Sequence, residues 1–207
     1  MNNADPSGKD ILACIILAAG SSRRFGAANK LLADMDGKPM VAHATEAAGA
    51  AALGPVIVVT GCDEDQIRAA LAHLDVKFVH NPAFADGMAA SLSAGIVAAS
   101  AAGAAGAFVI LGDMPWLEVE TLSALADAFR ETQGSQICVP VAQGRRGNPV
   151  LFPADLFGEI EALKGDRGAK SLLDTHAARV TEIPLQTVSV LEDIDVADQV
   201  PGPGRKR

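Results

Sequence analysis

The chain has 207 residues, a formal charge of −8 and 49% apolar residues, with no tyrosine. That length suits one domain with a full core. The acidic balance argues against a nucleic-acid surface, which needs a basic face. No apolar run is long enough for a membrane span. Residues 1–10 lack the apolar segment of a signal peptide, so a cytoplasmic protein is expected. Cys14, Cys62 and Cys138 are scattered and without metal spacing, as reduced thiols would be. His43, His73, His80 and His176 show no ligand pattern and read as surface or capping residues.

Strand-length apolar runs alternate with helical patterns along the chain. Residues 11–17 read as the first strand. Residues 39–53 are helical, with Pro39 suited to a first turn. A second strand is expected at 55–60 and a helix at 64–73, capped by Gly61-Cys62-Asp63. A short strand follows at 76–79. Asp86-Gly87 opens a helix over 88–102. Residues 107–111 form the fourth strand, ending at Gly112-Asp113. A helix at 117–132 and a strand at 136–140 continue the alternation.

This order implies a parallel sheet with helices on both faces. The strands are continuously apolar, as burial on both sides requires. Beyond residue 140 the pattern changes. Residues 144–152 read as a loop entering a strand, 154–163 as a helix and 165–168 as a turn. A helix at 169–176 and short strands at 180–184 and 188–191 complete the reading. Residues 11–198 are expected to form a single domain, with flexible ends at 1–10 and 199–207.

The first strand feeds Leu17-Ala-Ala-Gly-Ser-Ser-Arg-Arg-Phe-Gly-Ala-Ala-Asn-Lys30. Small residues let a backbone approach a bulky anion and aim amides at it. Arg23, Arg24 and Lys30 place three of the 17 basic residues within eight positions, enough to neutralise several phosphate charges. Ligands of open α/β sheets bind outside these strand ends. The loop is neither G-x-G-x-x-G nor a P-loop, which disfavours a dinucleotide dehydrogenase. Leu111-Gly-Asp-Met-Pro115 ends another strand in a carboxylate at the same sheet edge. Asp113 reads as a Mg²⁺ ligand there, or as a cap of the next helix. Asp193 and Asp195 are two apart, so in an extended segment they face one side; they read as a second metal carboxylate or as a solvated acidic turn.

These blocks resemble the molybdenum-cofactor nucleotidyltransferases. The match includes Leu17-Ala-Ala-Gly…Ser22…Arg24-Phe-Gly26…Lys30-Leu-Leu and Gly87-Met88…Ser91-Leu92…Gly95. Leu111-Gly-Asp-Met-Pro115, Gly147-Asn-Pro-Val-Leu151, Gly165-Asp…Gly168-Ala169 and Asp193-Ile-Asp195 follow in order. The resemblance spans residues 11–198. It implies an α/β fold: a Rossmann-like three-layer sandwich around a mostly parallel, mixed sheet, of the nucleotide-diphospho-sugar transferase type. Ala19 in the first loop is similar to the cytidylyltransferase branch, since its methyl crowds a purine more than a pyrimidine. Asn148 and Lys170 stand where His and Arg are frequent in the family.

The implied reaction is Mg²⁺-dependent transfer of CMP from CTP to molybdopterin, releasing pyrophosphate. The resemblance assigns residues 11–140 to the nucleotide and 141–198 to the acceptor. Arg24, Lys30 and Asp113 are the expected catalytic residues. Leu17, Ala18, Ala19, Gly20, Ser21, Ser22, Arg24, Lys30, Gly87, Met88 and Ser91 would bind nucleotide. Gly147, Asn148, Gly168 and Lys170 would face the acceptor, with Arg145 and Arg146 able to attract its phosphate. Asp113, Asp193 and Asp195 would hold the metal. A recipient molybdoenzyme is the implied protein partner, for a monomer or a dimer. The alternatives are a guanylyltransferase, a sugar-phosphate nucleotidyltransferase of the same fold, or a non-catalytic cofactor carrier. A pure carrier would not need Asp113 together with the Asp193/Asp195 pair.

Overall fold

The computed structural model describes residues 11–20, 29–165 and 168–194. Ser21, Ser22, Arg23, Arg24 and Asp195 lie outside the described residues, as do both chain ends.

The first strand is β1 (Leu12–Ala18). A two-strand ribbon, β2 (Asp34–Met35) and β3 (Lys38–Pro39), follows and leads into helix α1 (Met40–Ala50). Next come β4 (Val56–Thr60), α2 (Glu64–Ala70) and β5 (Lys77–His80). The long helix α3 (Met88–Ala101) precedes β6 (Gly106–Leu111), and α4 (Val119–Glu131) precedes β7 (Ile137–Ala142). The remaining elements are β8 (Arg145–Arg146), β9 (Val150–Pro153), α5 (Phe157–Glu161), α6 (Lys170–Thr175) and β10 (Val180–Pro184).

The main sheet runs β10-β7-β9-β6-β1-β4-β5, with β8 paired to β7. β1 is parallel to β4 and β6, β4 to β5, and β7 to β10. β9 is antiparallel to both of its neighbours, β6 and β7. The sheet is therefore mostly parallel and mixed, as the resemblance implies, and β9 is the strand that the βα alternation alone did not reveal as reversed. Val150 pairs with Val109 near the carboxyl end of β6, and Pro153 pairs with Gly106 at its start. So β9 enters the sheet from the edge where β6 and β7 leave it. This brings residues 143–149 to that edge.

Alternation along β1 builds both cores. Leu12, Cys14, Ile16 and Ala18 face a cluster that includes Ala44, Ile67, Leu122 and Leu125 of α1, α2 and α4. Ala13 and Ile15 face Leu92, Ile96, Ile160 and Leu172 of α3, α5 and α6. Both faces are thus covered, which explains why the strands read as unbroken apolar runs. In α4, Leu122, Leu125, Ala126 and Phe129 are buried at helical spacing. Gly95 lets α3 lie tight on the sheet: a Cβ there would sit 2.5 Å from Ile15 Cγ2.

Two expectations are corrected. Residues 188–191 form a 3₁₀ turn (Ser189–Leu191), not a strand. Ser189 N donates to Thr187 Oγ1 at 3.2 Å, a side-chain turn that competes with extended pairing. Residues 154–163 split into a 3₁₀ turn (Ala154–Leu156) and the short α5. The ribbon of β2 and β3 was not anticipated, because two-residue strands carry no readable period. Among the described residues, no helix is long and apolar enough to cross a membrane. All three cysteines are free thiols.

Candidate active site

Leu17 and Ala18 end β1, and Ala19 and Gly20 leave the sheet beside the carboxyl ends of β4 and β6. Gly112 follows β6 directly and donates its N–H to Leu17 O at 3.1 Å. A Cβ on Gly112 would lie 2.9 Å from that oxygen, so only glycine lets the two strand ends close up. The next residue, Asp113, is thereby held against the end of β1. It is 9% exposed.

Lys30 reaches the same point from the other end of the loop. Its Nζ donates to Asp113 Oδ2 at 2.5 Å and to Ile194 O at 2.9 Å. Ile194 N in turn donates to Asp113 O at 3.2 Å. Asn29 sets where Lys30 starts: its Oδ1 accepts from Leu31 N at 3.0 Å, and its Nδ2 donates to Asp63 Oδ2 at 3.2 Å. Ile194 is anchored in a small cluster with Met35 and Met40, against which Trp116 packs. The ribbon of β2 and β3 thus supports the site from below.

Asp113 Oδ1 is buried and has no hydrogen-bond partner among the described residues. Burial pushes the Asp113 carboxyl above the usual carboxylate range, the nearby Lys30 ammonium pulls it back, and the Asp193 charge adds to the rise. An orphaned, dehydrated carboxylate oxygen needs a cation or a donor. Two hard oxygen ligands from Asp113 and the exposed Asp193 suit Mg²⁺ or Mn²⁺, which take one or two carboxylates and complete their shell with phosphates and water. Among the described residues, no group of three or more His, Cys, Asp or Glu side chains could hold a metal ion alone.

Local contacts fix several of the other predicted residues. Gly87, at φ +110°, precedes α3. Met88 is exposed, and a Cβ on Gly168 would touch its Sδ at 3.1 Å. Ala89 N donates to Gly165 O at 3.1 Å, joining the start of α3 to that glycine. Ser91 is buried and accepts a hydrogen bond from Asn81 Nδ2 at 3.0 Å. Gly147 N donates to Pro140 O, and Asn148 N donates to Val190 O at 2.8 Å. Residues 190–194 therefore run from the 143–149 loop to the Asp113–Lys30 pair.

Lys170 is exposed at the start of α6, and Arg146 is bonded to Glu182 on β10 at 2.7 Å. No hydrogen bond or ion pair joins Lys170, Arg145 or Asn148 to Lys30 or Asp113 among the described residues. Asn29, Asn81 and the Ile194 carbonyl were not singled out from sequence, and Asp63 was read only as part of a helix cap. His73 and His80 are exposed, with His80 on Glu64, while His43 and His176 are half-buried, His43 Nε2 against Met35 O and His176 on Glu159.

A family model described as "MobA-like NTP transferase domain" matches residues 14–180. The chain is 30% identical over 200 residues to the purine catabolism protein PucB of Bacillus subtilis, spanning 89% of this chain and 92% of that protein. It is 28% identical over 191 residues to nicotine blue oxidoreductase of Paenarthrobacter nicotinovorans, spanning 90% and 93%. The crystal structure of Rv0371c from Mycobacterium tuberculosis superposes with a TM-score of 0.79 at 26% identity, over 92% of this chain and 95% of that one. A structure of Rv0371c with manganese gives a TM-score of 0.72 at 24% identity, over 91% and 95%. The matched span contains the strand that ends at Ala18, Lys30 and the buried Asp113, so the chain belongs to the MobA-like NTP transferase family of nucleotidyltransferases.

Proposed function

We propose that this nucleotidyltransferase moves CMP from CTP to the terminal phosphate of molybdopterin. A phosphate oxygen of the acceptor attacks the α-phosphorus of CTP. The new P–O bond forms as the bond between the α-phosphorus and its bridging oxygen breaks, and pyrophosphate leaves with the electron pair. Little covalent chemistry falls to the protein, which must align two anions and stabilise the leaving charge.

The observation that carries this reading is the Lys30–Asp113 contact at the carboxyl ends of β1 and β6, with Asp113 Oδ1 buried and orphaned. Asp113, with Asp193 or Asp195, would hold Mg²⁺, which supplies positive charge to the phosphates. Lys30 and Arg24 neutralise the triphosphate, and the amides of Ala19, Gly20, Ser21 and Ser22 add donors. Leu17, Ala18, Gly87, Met88 and Ser91 enclose base and ribose. Gly147, Asn148, Gly168 and Lys170 face the acceptor. The nucleotide half is residues 11–140 and the acceptor half 141–198. Cytosine is preferred because Ala19, 4% exposed at the loop's start, leaves less room than glycine would.

The test mixes protein, Mg²⁺ and molybdopterin with each triphosphate in turn and measures pyrophosphate. Turnover is expected with CTP. Turnover with GTP alone overturns the base assignment, and molybdopterin binding without any turnover overturns the enzymatic reading in favour of a carrier. Asp113→Ala is expected to abolish turnover with the fold intact by circular dichroism.

A further inference from the structure

A buried polar pair lies at the carboxyl end of β5. Asn81 is 4% exposed and Ser91, one turn into α3, is 6% exposed. Asn81 N donates to Thr60 O at 2.8 Å, which fixes the residue to the end of β4. Ala83 N donates to Asn81 Oδ1 at 3.0 Å. That backbone donor identifies the oxygen end of the amide, so the other end is the nitrogen. The nitrogen donates to Ser91 Oγ at 3.0 Å.

A serine hydroxyl carries one proton and two lone pairs. Since Asn81 donates along the shared contact, the Ser91 proton points elsewhere. Among the described residues, that proton has no protein acceptor: the contact from Asn81 is the hydrogen bond the Ser91 side chain makes. A buried O–H of this kind needs an outside acceptor.

We propose that Asn81 is a specificity-determining positioning residue: it turns the Ser91 hydroxyl into an obligate donor toward the bound base. This rests on the nucleotide reading of residues 87–91 above. A fixed donor suits a base with adjacent acceptors, as cytosine has at O2 and N3. It opposes guanine's N1–H and N2–H₂ edge, where donors stand in place of cytosine's N3 and O2, while guanine's own acceptors lie at O6 and N7.

The test measures dissociation constants of Mg-CTP and Mg-GTP by titration calorimetry, without any acceptor. Asn81→Asp keeps the Oδ1 acceptor for Ala83 N and the side-chain shape. A carboxylate only accepts, so it draws the Ser91 proton to itself. The preference for CTP over GTP is expected to fall roughly tenfold, the worth of one hydrogen bond. Ser91→Ala, a safe change inside a helix, should lower the preference by the same factor. In the Ser91→Ala background, Asn81→Asp should change it no further.

An unchanged preference in Asn81→Asp overturns the inference. So does the same fall in the Ser91→Ala background, which would trace it to the added charge. If Asn81→Asp does not fold, an unchanged preference in Ser91→Ala alone overturns it. Tighter binding of GTP than CTP by the unaltered protein overturns instead the cytidine reading on which it rests.

Discussion

Replacing Lys30 by methionine removes the ammonium and keeps much of the side-chain volume. Asp113 then loses its closest countercharge in a place where water does not substitute. The paired side chains are only 16% and 12% exposed, so the pair behaves as a nearly buried one. Stripping one partner from such a pair costs about 3 kcal/mol. For a chain of this length that is a fall in Tm of roughly 6–12 °C. The cost depends on pH in a definite sense. Lys30 lowers the Asp113 pKa against burial, so its loss raises that pKa further. Above the variant's Asp113 pKa the full penalty applies. As pH falls between the variant's and the parent's pKa, the folded variant takes up a proton that the folded parent does not. The penalty then shrinks by up to about 1.4 kcal/mol per pH unit. Urea unfolding of both proteins at several pH values from 5 to 8 measures this directly. Lys30→Met combined with Asp113→Asn should recover most of the loss, because neither unpaired charge remains. A penalty that is constant with pH, or a double variant no more stable than Lys30→Met, refutes the argument that the carboxylate is the source.

Gly95→Ala should destabilise the fold by about 1–3 kcal/mol, since its methyl would meet Ile15 Cγ2 at 2.5 Å and Val59 Cγ2 at 3.1 Å in a packed core; an unchanged urea midpoint would contradict it. Iodoacetamide at pH 8 should modify one thiol per native chain, Cys62, which is partly exposed. Burial pushes Cys14 up to about 12 and Cys138 up to about 11, keeping both as inert thiols; mass spectrometry showing either one labelled before unfolding would refute this. Cys62 N donates to Ala19 O at 3.3 Å, so saturating Mg-CTP should slow labelling at least severalfold, and equal rates would count against a nucleotide at that loop.

Much of the fold was legible because parallel strands covered on both faces must be apolar, and 12–18, 56–59 and 107–111 are. Strand 180–184 was read to the residue. Strand direction was not legible: Val150 to Pro153 is as apolar as any parallel strand, and its reversal is a matter of tertiary pairing. At the candidate site, Asp113 stood out as a carboxylate just past a strand end, and Lys30 as one of three cations in the loop of small residues that follows the first strand. Asn81 did not, since its meaning depends on Ser91, ten residues away, and on a hydroxyl whose polarity no spacing reveals. Likewise the Ile194 carbonyl acts through its backbone, so side-chain type carries no trace of it.

The reversed course of β9 has a consequence for how such a protein diversifies. Residues 143–149 hang between two strands that are themselves woven into the sheet. Apart from Gly147, where a Cβ would collide with Val190 O, they can be rewritten without disturbing the register of β1, β4 or β6, at whose ends Lys30 and Asp113 meet. Under the function proposed above, a change of acceptor then requires editing a short hairpin rather than rebuilding the scaffold, and transplanting that hairpin between relatives becomes a rational way to exchange one acceptor for another.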